Sequence, residues 1–96
     1  MSNEKVIKAF LNRETAHTPY RDIVFGVYVM RGCTLNSYGY KLINYETEIA
    51  YWKNDILYLN THKYSSTTSK IQSLIKRLAQ EKGVEIVEYD LTKNEI

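Results

Sequence analysis

Residues 40–61 read YKLINYETEIAYWKNDILYLNT, and this stretch decides the fold. Residues 40–45 and 47–52 are rich in β-branched and aromatic side chains, the composition of strands. Lys53-Asn54-Asp55 is a hairpin turn signal, and residues 56–61 return as the partner strand, with Trp52 and Ile56 flanking the turn. An unbroken pleat places Ile43, Tyr45, Thr47, Ile49 and Tyr51 on one face, which predicts Tyr45 and Tyr51 in the core. Tyr40, Leu42, Asn44, Glu46, Glu48 and Ala50 fall on the other face, mixed and acidic. Such a face suits a protein partner with basic residues better than a phosphate backbone.

Working outward, the next segment is helical. Ile71, Leu74, Ile75 and Leu78 recur at i, i+3, i+4 and i+7, and Ala79 widens the stripe. Ser65, Ser66 and Thr67 are all able to cap its start, and Ser69 with Gln72 fits a capping box. Gly83 supplies the left-handed stop. Val84, Ile86 and residues 87–91 read as a last strand. Upstream, residues 23–30 read as a strand, with Gly26 a bulge or a close backbone approach. Residues 12–22 and 31–39 read as loops. Val6, Ile7, Phe10 and Leu11 predict a first helix over about residues 3–12, capped by Ser2 or Asn3. The expected order is α-β-β-β-α-β, an α+β fold in which two helices pack on a small, mostly antiparallel sheet.

With 96 residues the chain holds one domain, 1–96. Hydrophobic residues make up 44% and charged residues 25%, ordinary globular values that exclude a disordered tail, a collagen-like chain and a membrane protein. No run approaches the roughly 18 apolar residues of a membrane span, and the first residues lack the apolar core of a signal peptide. Cys33 is alone and makes no intramolecular disulfide, so a reducing cytoplasm is the expected compartment. Charge is unevenly spread. Residues 61–82 carry five basic side chains and one acidic, whereas residues 83–96 carry one basic and four acidic.

Two segments carry a resemblance. Residues 37–50, SYGYKLINYETEIA, and residues 59–72, LNTHKYSSTTSKIQ, resemble small uncharacterised proteins encoded by bacteriophages and mobile elements. Those proteins carry a G-x-x-L-x-x-Y-x-T-x-I-A segment followed by N-x-x-x-Y-S-x-T-T-S-K. The second is matched residue by residue at 64–70; after Lys70 relatives often have a His where this chain has Ile71. The resemblance implies a phage or plasmid accessory origin and brings no established chemistry.

The strongest candidate site begins at this motif. Lys63, Tyr64, Ser66, Thr67, Thr68, Ser69 and Lys70 surround the predicted helix start, and Lys70, Ser73 and Arg77 share one helix face. Hydroxyls, free backbone N–H groups and flanking lysines are the ingredients of an anion site, and Tyr64 is placed to stack on a base. The same composition also follows from capping alone, although five consecutive hydroxyl residues exceed what one cap needs. The tyrosines at 38, 40, 45, 51, 58 and 64, with Trp52, are either sheet packing or an aromatic contact surface. Glu46 and Glu48 are either paired carboxylates or the solvated side of a strand. His17, Cys33 and His62 have no metal-ligand spacing, so no metal and no cofactor are expected.

These readings predict a non-enzymatic phage or mobile-element accessory protein that binds a host protein or a protein–nucleic acid complex. The expected action is inhibition of a nucleic-acid-handling defence system, in the manner of an anti-CRISPR protein. The alternative is direct nucleic-acid binding through Lys63, Lys70, Lys76 and Arg77 of the basic second helix. A third reading is a small ribonuclease toxin using His62, Lys63, Tyr64 and Arg77, for which the sequence offers no paired acid and base. A dimer through a strand edge at 23–30 or 84–91 is a further expectation, because a small open sheet leaves edges to manage.

Overall fold

The structure, a computed structural model, describes residues 2–18, 23–24, 27–28 and 35–90. Helix α1 (Asn3–Leu11) starts at Ser2, whose side chain accepts from the Lys5 N–H, and its buried face is Val6, Ile7, Phe10 and Leu11. Strands β1 (Thr15–His17), β4 (Leu35–Tyr38), β5 (Lys41–Asn44), β6 (Thr47–Lys53) and β7 (Ile56–Asn60) follow, with a separate pair, β2 (Ile23–Val24) and β3 (Val27–Tyr28), between β1 and β4. Helix α2 (Ser66–Lys82) and strand β8 (Ile86–Tyr89) complete the chain. The main sheet has the order β1-β4-β5-β6-β7-β8, antiparallel throughout except for the parallel pair β7–β8. The fold is α+β, with two helices on a six-stranded, mostly antiparallel sheet.

The element order differs from the expected one, and two of the strands stand where loops are expected. Residues 15–17 and 35–38, expected as loop, pair with each other through Thr15–Tyr38, Ala16–Ser37 and His17–Asn36. Their polar side chains hide the strand signal, and hydrogen bonds between the two segments hold them in the sheet: Ser37 Oγ donates to the Glu14 carbonyl at 2.6 Å, and the Leu35 N–H donates to Thr18 Oγ1 at 3.2 Å. The single strand expected at 23–30 is instead the β2–β3 pair, in which Ile23 pairs with Tyr28 and Val24 with Val27. Gly26 lies outside the described residues, as do Cys33, the loop at 19–22 and the end of the last strand at residue 91.

The unbroken pleat expected over 40–52 is also corrected. Tyr45 and Glu46 form the turn between β5 and β6, and Tyr45 sits at φ 60° and is 54% exposed, not core. Leu42 then pairs with Ala50 but Ile43 with Glu48, so Ile49 is an extra residue on β6. This bulge turns both Ile49 and Ala50 into the core and shifts the alternation beyond it. Trp52 consequently faces the helices, while Tyr51 is half-buried on the opposite face, stacked on Tyr58 across the hairpin with ring centres 4.9 Å apart. The hairpin turn is Asn54-Asp55, both at positive φ, closed by the pair Lys53–Ile56 rather than Trp52–Ile56.

Both helices pack on one face of the sheet. The core joins Val6, Ile7 and Phe10 of α1 to Ile71, Ile75 and Ala79 of α2 over Leu35, Leu42, Ile49, Leu57 and Leu59. Trp52 fastens α1 to the β6–β7 hairpin: its Nε1–H donates to the Phe10 carbonyl at 2.9 Å, and the Arg13 guanidinium lies 4.2 Å from its ring centre. Gly83 ends α2 in the left-handed conformation at φ 80°. The buried residues Thr68, Ile71, Gln72, Ile75, Leu78 and Ala79 fix the inward face of α2, and with it the direction in which the opposite face points.

Candidate functional site

The segment leading into α2 is held by buried amides. Asn60 is fully buried; its Nδ2 donates to the Glu48 carbonyl at 3.1 Å and to the Tyr64 hydroxyl at 3.0 Å, and its Oδ1 accepts from the His62 N–H at 3.0 Å. Gln72 Nε2 donates back to the carbonyls of Asn60 and His62 at 2.7 and 3.0 Å. His62 Nδ1 lies 3.0 Å from Asp90 Oδ1, and its ring meets Tyr64 edge-on. Tyr64 is therefore a positioned side chain, still 40% exposed.

The hydroxyl string divides into two groups. Ser65 is the N-cap: its Oγ accepts from the Thr68 N–H at 3.2 Å and donates to Thr68 Oγ1 at 3.2 Å. Thr68 is buried, and its hydroxyl donates to Asn44 Oδ1 at 2.7 Å. Those two hydroxyls serve the fold. Ser66 and Thr67 stay exposed in the first turn, and Ser69 is half-buried.

Ser69, Lys70, Ser73, Leu74 and Arg77 line one open groove of about 480 Å³. On the other flank of α2, Lys63, Ser69, Ser73 and Lys76 line a smaller groove of about 250 Å³ with Glu88. Near the helix start, Thr67 and Lys70 border a third, about 220 Å³, with Asn3, Ile71 and Leu74. The structure thus gathers Ser69, Lys70, Ser73 and Arg77 in one place and brings Lys63 to the far side of the same serines. Tyr64 and Ser66 line none of these grooves, and Thr68 faces inward.

Charge along this face is partly neutralised. Lys76 pairs with Glu88 at 2.8 Å, and Arg77 approaches Glu81 at 3.9 Å. Lys63 and Lys70 form no ion pair among the described residues. Leu74, read from sequence as part of the buried stripe, is only half-buried and supplies the apolar lining of the largest of these grooves. Its position offered a signal. At about 100° per residue it lies a full step away from the centre set by Ile71, Ile75 and Ala79.

The other constellations resolve separately. Glu46 is in the β5–β6 turn and Glu48 on β6, so the two carboxylates do not share a strand face. Glu48 accepts from the Tyr89 hydroxyl at 3.4 Å, and Tyr89 leans on Tyr51 with ring centres 5.7 Å apart. Burial, then the Glu48 charge, push the Tyr89 phenol well above its ordinary range, and burial with Tyr58 and Glu48 pushes up Tyr51. The Tyr51 and Tyr58 rings cover each other, which leaves their edges rather than their paired faces for contact. No group of three metal-ligating side chains converges among the described residues. No helix there is long and apolar enough to cross a membrane. Compared with known proteins, the chain matches no family model, no curated protein and no solved structure.

Proposed function

We propose that the chain is a non-enzymatic accessory protein of the phage or mobile-element kind, and that it lays the exposed face of α2 on a host macromolecule. The observation that carries this reading is the groove of Ser69, Lys70, Ser73, Leu74 and Arg77 on a helix whose opposite face is fixed in the core. A rigid element presenting hydroxyls, cations and a half-buried leucine outward is suited to occupying a surface. The resemblance of residues 37–50 and 59–72 to phage and mobile-element proteins supports a host target, with inhibition of a nucleic-acid-handling defence system as the action. An inhibitor of this kind blocks a surface and needs no catalytic constellation.

The test is affinity capture from a bacterial host lysate, with and without nuclease, using the native chain and a Lys70→Glu/Arg77→Glu variant. The expected result is a host partner retained by the native chain and lost by the variant. Equal capture by both chains would overturn the assignment of the α2 face.

The clustering of Lys63, Lys70, Lys76 and Arg77 around one helix favours a second reading, direct nucleic-acid binding. Its signature is affinity that falls steeply with salt, in proportion to the phosphates neutralised. Absence of binding to single- or double-stranded nucleic acid at low salt would remove it.

A further inference from the structure

We infer that the groove between Lys70 and Arg77 takes an acidic, partly apolar helical segment of a partner protein; this rests on the α2 reading above and names the partner's chemistry. The two helices carry six basic and two acidic side chains, and the remaining residues seven basic and nine acidic. The helical layer is thus the positive side of the molecule. Within it, Lys70 forms no ion pair among the described residues, and the Arg77–Glu81 contact is long, 3.9 Å, between side chains 63% and 65% exposed. Both cations are available to an incoming carboxylate.

Spacing favours a helix as the occupant. Lys70 and Arg77 are seven residues apart, two helical turns or about 10 Å along the axis. A partner helix with carboxylates at i and i+7 repeats that distance. Leu74 lies between the two cations and accepts an apolar side chain from the middle of such a segment, with the Ser69 and Ser73 hydroxyls alongside. The apolar lining continues through Ile71 toward the start of α1. Complementary charge of this kind sets orientation and speeds encounter.

A nucleic-acid strand fits the same surface poorly. Duplex DNA presents a charge about every 3.4 Å along each strand, so two cations about 10 Å apart answer only a minority of the phosphates. Glu81 and Glu88, beside Arg77 and Lys76, repel the others. Leu74 offers nothing to a phosphate.

The test is a titration of the isotope-labelled full chain followed by amide chemical shifts. The probes are a 14-residue capped peptide with Glu at i and i+7 and Leu between them, the same peptide with Leu replaced by Ser, the same peptide with Lys for Glu, and 14-nucleotide single- and double-stranded DNA. The acidic leucine peptide is expected to shift the amides of residues 69–77. The serine version should bind more weakly, the lysine version should not bind, and Lys70→Glu/Arg77→Glu should weaken the acidic peptide at least about tenfold. Both substituted residues are exposed, so the variant is expected to keep the native amide pattern elsewhere. Two results would overturn the inference: no shifts at 69–77 with the acidic leucine peptide, or DNA binding more tightly than that peptide at the same amides. In either case, lysate capture that still depends on Lys70 and Arg77 leaves the α2 reading standing, whereas capture indifferent to them removes that reading as well.

Discussion

Thr68 Oγ1 donates a 2.7 Å hydrogen bond to Asn44 Oδ1, joining the first turn of α2 to the end of β5. Thr68 also meets the capping Ser65 through its N–H and its hydroxyl. One buried side chain therefore closes the helix start and seats it on the sheet. Thr68→Val keeps the shape and removes the hydroxyl. The expected loss is about 1–3 kcal/mol, the cost of breaking a buried polar contact. Urea denaturation should show it as a lowered midpoint at unchanged slope, with Thr68→Ser losing less.

The Trp52 environment makes a second prediction. Its indole N–H is bonded to Phe10, and Arg13 covers the ring while donating to Asp55 Oδ1 at 2.8 Å. Arg13→Ala should cost about 0.5–1 kcal/mol, typical of a partly exposed cation–π contact. It should also red-shift the fluorescence of the chain's single tryptophan. Asp55→Asn, which alters only an exposed partner, should change the stability by less than about 0.5 kcal/mol.

Alkaline pH should destabilise the fold through Tyr89 and Tyr51. Burial, with Glu48 close by, raises both phenols, so the folded state favours their neutral forms. This contribution is fully present below the unfolded tyrosine value, about 10, and is lost as pH rises through the folded values. Denaturation followed across that range should show stability falling above about pH 10. Phenolate absorbance should show Tyr89 and Tyr51 titrating late, and Glu48→Gln should bring both toward earlier titration.

Two glycines should respond unequally to alanine. Gly83 has φ 80° with nothing within 4 Å of an added Cβ, so only backbone strain opposes the change, and Gly83→Ala should cost about 1 kcal/mol. At Gly39, φ is 91° and the Cβ would stand 3.2 Å from the Arg13 carbonyl oxygen. Gly39→Ala should therefore lower the melting temperature further than Gly83→Ala.

Legibility of the sequence followed the strength of local periodicity. Ile71, Ile75 and Leu78 announced α2 because a 3.6-residue period has no other economical reading, and Gly83 and Asn54-Asp55 marked its stop and the hairpin because few residues accept positive φ. Strands β1 and β4 were hidden because Asn36 and Ser37 are polar yet buried, and their suitability depends on partners distant in sequence. The bulge at Ile49 was hidden for another reason. Alternation predicts faces only while the register holds, and a single inserted residue moved Tyr51 from the expected core to the opposite face. At the candidate site, the cations and hydroxyls were readable. Which hydroxyls serve the fold was not: Ser65, Ser66 and Thr67 are chemically interchangeable as caps until Thr68 docks on Asn44.

The parallel pairing of β7 with β8 sets a sequence of events in time. The hairpin β6–β7 closes through a two-residue turn, but Leu57 meets Ile86 only after α2 has crossed back over the sheet. Closing that longer loop carries a larger entropy cost, and nothing rewards it until the helix has packed. Strand β8 is thus expected to dock after the β6–β7 hairpin has closed. Its amide protons should exchange with solvent ahead of those in β5–β7, so the acidic strand end opens without unfolding the rest of the chain.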